Sequence, residues 1–405
     1  MGRSWRQQAA TSSAHCTALG VDFVGWQGRH SDKANLRESG SRGPLALGSP
    51  QNQPHSPAAR CPGQRGPKWR LEMDKVKYGV IGLGWFGEKH CEALAAVPNA
   101  ELYALCTRTE SRLNDVAGKF GVRHVYTDYH EMLADPELQA VSITTMWDQH
   151  IEPALASLEA GKHVFCEKPM ASTVEDCRRM VAAANASAHA FMVGHICRFN
   201  PRYALAKREI ADGKLGRIVS MYARRNIPAP VGEMVLPKIG PIVGDGVHDM
   251  DLLLWYSGAK PVSVYAKTVT VRGLGNPDLG WSLFTMDSGA VLVLENVWFL
   301  PSTTAMQIDE RMEVIGTEGS IHVQEVAPSL AVCDKTGWTY PDTTYWPTLH
   351  GRCAGALRDE LAYFVDCVQR GEKPTVITPE ESMAAVVACL AAEESARIGA
   401  EVRLK

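Results

Sequence analysis

Three short runs of the 405-residue sequence carry side chains suited to chemistry. In the first, Gly82, Gly84 and Gly87 form a G-x-G-x-x-G array directly after an apolar run and at the head of a helical one. The first glycine suits a tight turn, the second lets backbone approach a pyrophosphate, and the third lets helix and strand pack closely. Free N–H groups at the helix start then face the phosphates, with Trp85 and Phe86 inside the same cradle. At the start of a strand–helix series, this array points to a dinucleotide. The second run, Glu167-Lys168-Pro169, closes a strand. A lysine fixed there by a following proline, through a peptide that can be cis, can bond a substrate hydroxyl and ease its deprotonation. The third run gathers Asp245, His248, Asp249 and Asp251 at a helix start. His248 titrates near neutrality and is the best general acid/base for a hydroxyl proton, while Asp249 and Asp251 read as partners of the helix dipole. No second ligand cluster accompanies them, so no metal is expected.

The elements that must position these groups follow from periodicity. Strands are expected at Tyr78–Ile81, Leu102–Cys106, Ala140–Thr144, His163–Cys166 and Ala190–Val193. Helices are expected at Phe86–Val97, Ser111–Phe120, Gln149–Ala160 and Val174–Ala186. This alternation implies right-handed βαβ units on a parallel sheet. Asp128 and Thr173 suit helix caps, and Asn200-Pro201 suits N-cap and N1 of a helix to Ala211. Beyond it, long β-rich runs with few helices between them imply a largely antiparallel sheet. These are Ile218–Arg225, Val262–Val271, Ser282–Thr285, Ala290–Val297, Met312–Ile315 and Ser320–Val323, followed by helices at Leu357–Gln369 and Pro379–Ile398. The fold class is α/β: a doubly wound parallel sheet plus an α/β domain with an open, mostly antiparallel sheet. The domains are expected at 73–195 and 196–405.

The second strand ends Cys106-Thr107-Arg108-Thr109, without the carboxylate that pairs with a ribose 2′-hydroxyl. A hydroxyl beside a guanidinium suits a 2′-phosphate, so NADP(H) is expected ahead of NAD(H). The other reading of Arg108 is a solvated surface charge. His195 and Arg198 either line the cleft or are structural, and the sequence leaves both open.

Composition narrows the partners. Apolar residues are 45%, charged residues 21% and the net charge is -3, so neither nucleic acid nor an anionic membrane is indicated. No run approaches the length of a membrane span. Eleven scattered cysteines without a C-x-x-C pair argue against a disulfide framework and for a cytoplasmic setting. Residues 1–72 differ from the rest: Gly, Pro, Ser and Gln supply 29 of them, and their charge balance is +6. Such a segment buries too little apolar surface to offset its ordering entropy and is read as a disordered or non-native extension ahead of Met73.

Together the motifs resemble the Gfo/Idh/MocA oxidoreductases, over about residues 75 to 402. The likeness rests on the glycine array, Thr145-x-x-x-x-His150, Glu167-Lys168-Pro169, Arg198-Phe199-Asn200-Pro201 and His248-Asp249-x-Asp251. It implies a Rossmann domain followed by a sheet whose inner face covers the nicotinamide and whose outer face makes a homodimer or homotetramer. It implies catalytic Lys168 and His248, with the dinucleotide also met by Thr145, Trp147, His150, Glu167, Lys168 and Arg198. Two departures stand out. The family's Asp four residues before its catalytic His is Gly244 here, and Asp245 is the candidate replacement. Its Pro-Asn pair is Met146-Trp147, which brings an indole beside the nicotinamide or substrate.

The activity these residues imply is hydride exchange between a nicotinamide C4 and a hydroxyl-bearing carbon of a sugar, polyol or nucleotide sugar. Two alternatives are a glycoside hydrolase that uses tightly held NAD and a non-catalytic nucleotide-sensing regulator. Retention of both Lys168 and His248 argues against the regulator.

Overall fold

A computed structural model describes residues 74–324 and 329–404. The expected N-terminal extension lies outside the described residues. Sheet A runs through β1 (Val76–Ile81), β2 (Ala100–Cys106), β3 (His124–Tyr126), β4 (Ala140–Ile143), β5 (His163–Glu167) and β6 (Phe191–Gly194). Its order is β3-β2-β1-β4-β5-β6 and every pairing is parallel. All residues of β4 and β6 are buried, as expected of strands covered by helices on both faces. Those helices include α1 (Trp85–Leu94), α2 (Glu110–Phe120), α3 (Tyr129–Leu133), α4 (Ile151–Glu159) and α5 (Val174–Ala186). The strand order reverses between β1 and β4, which opens a ligand crevice at the carboxyl edge of the sheet.

Two caps match their sequence signals. Asp128 accepts from the N–H of His130, and Thr173 accepts from that of Asp176. The three-residue β3 and the short 3₁₀ turns Trp147–Gln149 and Ile196–Phe199 escape the sequence reading, since none is long enough to set a period.

A helix α6 (Pro201–Ala211), capped by Asn200, leads to the second sheet. Its strands are β7 (Ile218–Asn226), β8 (Pro261–Val269), β9 (Leu279–Met286), β10 (Val291–Val297), β11 (Asp309–Gly316) and β12 (Ser320–Gln324). Two strand pairs, β13 (Val332–Asp334) with β14 (Gly337–Thr339) and β15 (Thr348–Leu349) with β16 (Arg352–Cys353), form small ribbons outside it. A short β17 (Val402–Arg403) completes the order β12-β11-β7-β10-β9-β8-β17. The sheet is mixed: β7 and β10 pair in parallel and the other contacts are antiparallel. Burial alternates residue by residue along β9, β10 and β11, so one face is covered and the other open.

The covering helices include α8 (Pro241–Gly244), α9 (Gly246–Ser257) and α11 (Pro379–Ile398), while a short α7 (Ala229–Val235) precedes them. Helix α11 starts at a capping box between Thr378 and Glu381 and also packs on α5 and β6. Helix α10 (Ala356–Arg370) lies against sheet A, where Phe364 meets the edges of Tyr78 and Phe165 with ring centroids 6.2 and 5.7 Å apart. Helix α11 thus joins the two sheets, while α10 covers the first.

Candidate active site

The turn between β1 and α1 fits a dinucleotide at each glycine. Gly82 has φ +97°, a conformation costly for other residues. A Cβ on Gly87 would lie 2.0 Å from the Gly82 carbonyl oxygen, so only glycine lets the helix approach this closely. At Gly84 nothing stands within 4 Å of an added Cβ, which leaves room for a ligand against the backbone. Gly84 is also the N-cap of α1 and caps it with no side chain, leaving first-turn N–H groups for phosphate oxygens. The residues present therefore fit a pyrophosphate.

Trp85 is 64% exposed at this helix start. Phe86 turns inward onto His90 and Trp346, with centroids 5.2 and 5.7 Å away, so its backbone rather than its ring faces the cradle. Thr107 and Arg108 leave β2 at the same edge. Arg108 is exposed and donates to the Gln149 side chain at 3.2 Å. Arg112 on α2 was not anticipated. It donates from Nε to the Leu83 carbonyl at 2.8 Å and pairs with Glu88, clamping the glycine turn from outside. Nothing in its spacing marks it.

Around Lys168, several residues expected at the dinucleotide instead hold the strand ends. His150 is buried between the carbonyls of Pro169, 2.9 Å from Nδ1, and Thr145, 3.1 Å from Nε2. Burial pushes its pKa down, and a neutral ring donates to one of these carbonyls at a time. Glu167 is buried too, with Oε1 3.0 Å from His90 Nε2 and Oε2 accepting the Lys168 N–H at 3.2 Å. His90 continues through Ser142 to the Tyr78 hydroxyl in steps of 3.0 Å. His150 and Glu167 thus position the Thr145 and Lys168 backbone from beneath. Trp147 is half-buried beside exposed Met146 on the crevice side of β4.

Arg198 departs furthest from its expected place. Its guanidinium grips Asp251 at 2.8 and 2.7 Å, Glu381 at 3.0 Å and the Val376 carbonyl at 2.7 Å, and it lies over the Trp255 ring. The side chain is 1% exposed, so it serves packing and presents no face to a dinucleotide. Arg225 treats Asp249 likewise, at 3.0 and 3.2 Å, and also holds Glu310 at 2.9 Å. Asp249 and Asp251 are structural, but as partners of buried arginines rather than of the helix dipole. His195 is wholly enclosed 3.7 Å from Asp251.

The proton-handling candidates do converge. The Lys168–Pro169 bond is cis. Lys168 Nζ donates to the Gly244 carbonyl at 3.0 Å and stands 3.8 Å from Asp245 Oδ1. His248 follows one turn later in α9, with Nδ1 enclosed and without a hydrogen-bond partner. Burial, then the positive charges of Lys168 and Arg225, hold its pKa well below the usual histidine value. The imidazole is therefore neutral at neutral pH and able to accept a proton, with Nε2 as the nitrogen for exchange. Among the described residues, no group of three or more His, Cys, Asp or Glu is arranged to hold a metal ion, and no helix is long and apolar enough to cross a membrane.

Comparison with known proteins bears on the fold and family. Residues 76–195 match the model of an oxidoreductase family with an NAD-binding Rossmann fold, and residues 203–322 match the GFO/IDH/MocA C-terminal domain. The inositol 2-dehydrogenase of Acidothermus cellulolyticus is 31% identical over 327 residues, covering 80% of this chain and 93% of that protein. The scyllo-inositol 2-dehydrogenase (NAD(+)) of Bacillus subtilis is 29% identical, covering 82% and 96%. A solved probable dehydrogenase from Thermotoga maritima superimposes with a TM-score of 0.69 at 26% identity, over 81% of this chain and 98% of that one. The glycine cradle, the paired sheets and these matches give one conclusion: the chain belongs to the Gfo/Idh/MocA oxidoreductase family and is a nicotinamide-dependent dehydrogenase acting on CH–OH groups.

Proposed function

We propose that this enzyme interconverts a ring hydroxyl and a ketone on an inositol-like polyol, with Lys168, Asp245 and His248 handling the proton. The convergence of the Lys168 ammonium, the Asp245 carboxylate and the neutral His248 imidazole at the crevice carries this reading. Gly82, Gly84, Gly87 and the first turn of α1 hold the dinucleotide phosphates, with Thr107, Arg108, Thr145 and Trp147 along its length. A bound nicotinamide supplies the hydride chemistry. Lys168 binds the substrate oxygen through an Nζ proton and stabilises negative charge on it. His248 Nε2 takes the hydroxyl proton in oxidation and returns it in reduction. Asp245 sets a carboxylate beside the ammonium, 3.8 Å from Nζ. Relatives named as inositol dehydrogenases support the polyol class.

The finer preference for NADP(H) rests on Arg108, exposed at the end of β2 and held by Gln149, with a guanidinium suited to a 2′-phosphate, while the Bacillus subtilis relative is named for NAD(+). The open face of the second sheet supports a homo-oligomer. On it Tyr265, Leu283 and Val293 stand opposite one another, with exposed Trp281 and Val291 nearby. Nine described cysteines are free and eight of them are buried packing groups, in keeping with a cytoplasmic setting.

The test is turnover of a polyol panel, including myo- and scyllo-inositol, after titration with NADH and NADPH. Saturable binding of a dinucleotide, its release during turnover and a loss of about 10²–10⁴ in kcat for Lys168→Ala are expected. Turnover that survives Lys168→Ala defeats the catalytic assignment. NADH bound more tightly than NADPH, with no change on Arg108→Ala, removes the NADP(H) preference.

A further inference from the structure

Asp245 is the N-cap of α9, yet its carboxylate caps no backbone N–H. Its Oδ2 instead accepts from the indole Nε1–H of Trp298 at 3.0 Å. Trp298 follows β10 and is 2% exposed, so its indole is closed to any ligand. Its main chain is fixed on both sides: the N–H donates to the Asp278 carbonyl at 2.8 Å, and the carbonyl accepts from Arg272 at 2.6 Å. The ring also accounts for Gly244. A Cβ there would lie 2.6 and 2.9 Å from the indole carbons Cη2 and Cζ2. The indole thus fills the space next to residue 244 and bonds the carboxylate of residue 245.

The consequence falls on Lys168. Its Nζ reaches the Gly244 carbonyl at 3.0 Å, but Asp245 Oδ1 stays 3.8 Å away, beyond hydrogen-bonding distance. A carboxylate free to turn would close on an ammonium to about 2.8 Å. We propose that Trp298 is a positioning residue for the reaction: its indole N–H holds Asp245 short of a tight ion pair, leaving Lys168 protons for the substrate hydroxyl. Asp245 then raises the local negative potential around the ammonium without occupying it. This inference rests on the roles proposed above for Lys168 and Asp245.

Trp298→Phe keeps an aromatic ring in the pocket and removes the donor, along with part of the indole's volume. With myo-inositol as substrate, kcat is expected to fall about tenfold, and the basic limb of its pH profile to move upward as Asp245 closes on Lys168. The KM for the dinucleotide is expected to stay unchanged. Asp245→Glu, at a partly exposed position, gives a second reading that does not depend on refilling the core. One more methylene lets the carboxylate reach past the indole, so it should reproduce both the loss and the upward limb. Wild-type kcat and pH profile in both variants, with Lys168→Ala and Asp245→Asn still impaired, overturn the positioning role alone. Full activity in Lys168→Ala and Asp245→Asn overturns the catalytic reading beneath it.

Discussion

The two sides of the crevice are built from different materials. On the sheet A side the ligand surface is backbone: a positive-φ glycine, an open glycine and a helix start without a side-chain cap. On the other side it stands on side chains paired over long sequence distances, Arg198 with Asp251 and Glu381, Arg225 with Asp249 and Glu310, Trp298 with Asp245. Backbone shape is encoded within a few residues, so spacing reveals it. A buried ion pair needs a partner on another element, which no local spacing records.

The strongest challenge to this contrast is to cut one long-range pair. Arg198→Met leaves Asp251 buried and uncompensated and should cost about 3–5 kcal/mol of unfolding free energy in urea titration. A cost below about 1 kcal/mol would place the pair among dispensable surface contacts. On the backbone side, Gly87→Ala and Gly84→Ala should separate folding from binding. The first forces a Cβ into the Gly82 carbonyl and should lower stability by about 1–3 kcal/mol. The second meets empty space, so thermal stability should hold while dinucleotide affinity falls. Equal melting points for the two variants would remove the distinction. The smallest effect sharpens the junction of the two sides. His248 is held neutral by burial and by nearby cations, so activity should survive below pH 6.5 and fall only as the ring protonates at lower pH. Lys168→Met removes one of those cations, and NMR titration of His248 should show its protonation moving to higher pH.

The same contrast explains what the sequence disclosed. The strand–helix series, the caps at Asp128, Thr173 and Asn200, and α11 to both of its ends were legible because each is a local pattern. So was the glycine cradle. Arg198 was misplaced beside the dinucleotide because its own sequence neighbourhood gives no sign of Asp251, 53 residues away. His150 and Glu167 were nearer the mark in position than in role, since their side chains turn under the strand ends they were expected to decorate. Gly244 looked like a lost carboxylate; only the indole of Trp298 explains why a side chain has no place there. The parallel β7–β10 pair was invisible because the strands it joins are separated by three helices and two other strands.

The attachment of α10 and α11 to sheet A has a consequence for biosynthesis. The ribosome delivers β1 and β5 long before Phe364, which fills the gap between Tyr78 and Phe165. Until α10 and α11 emerge, that apolar surface has no cover, and Arg198 waits for Glu381. An N-terminal half made alone therefore presents an uncovered apolar face on sheet A, the kind of surface that invites aggregation, and docking of α10 and α11 closes it.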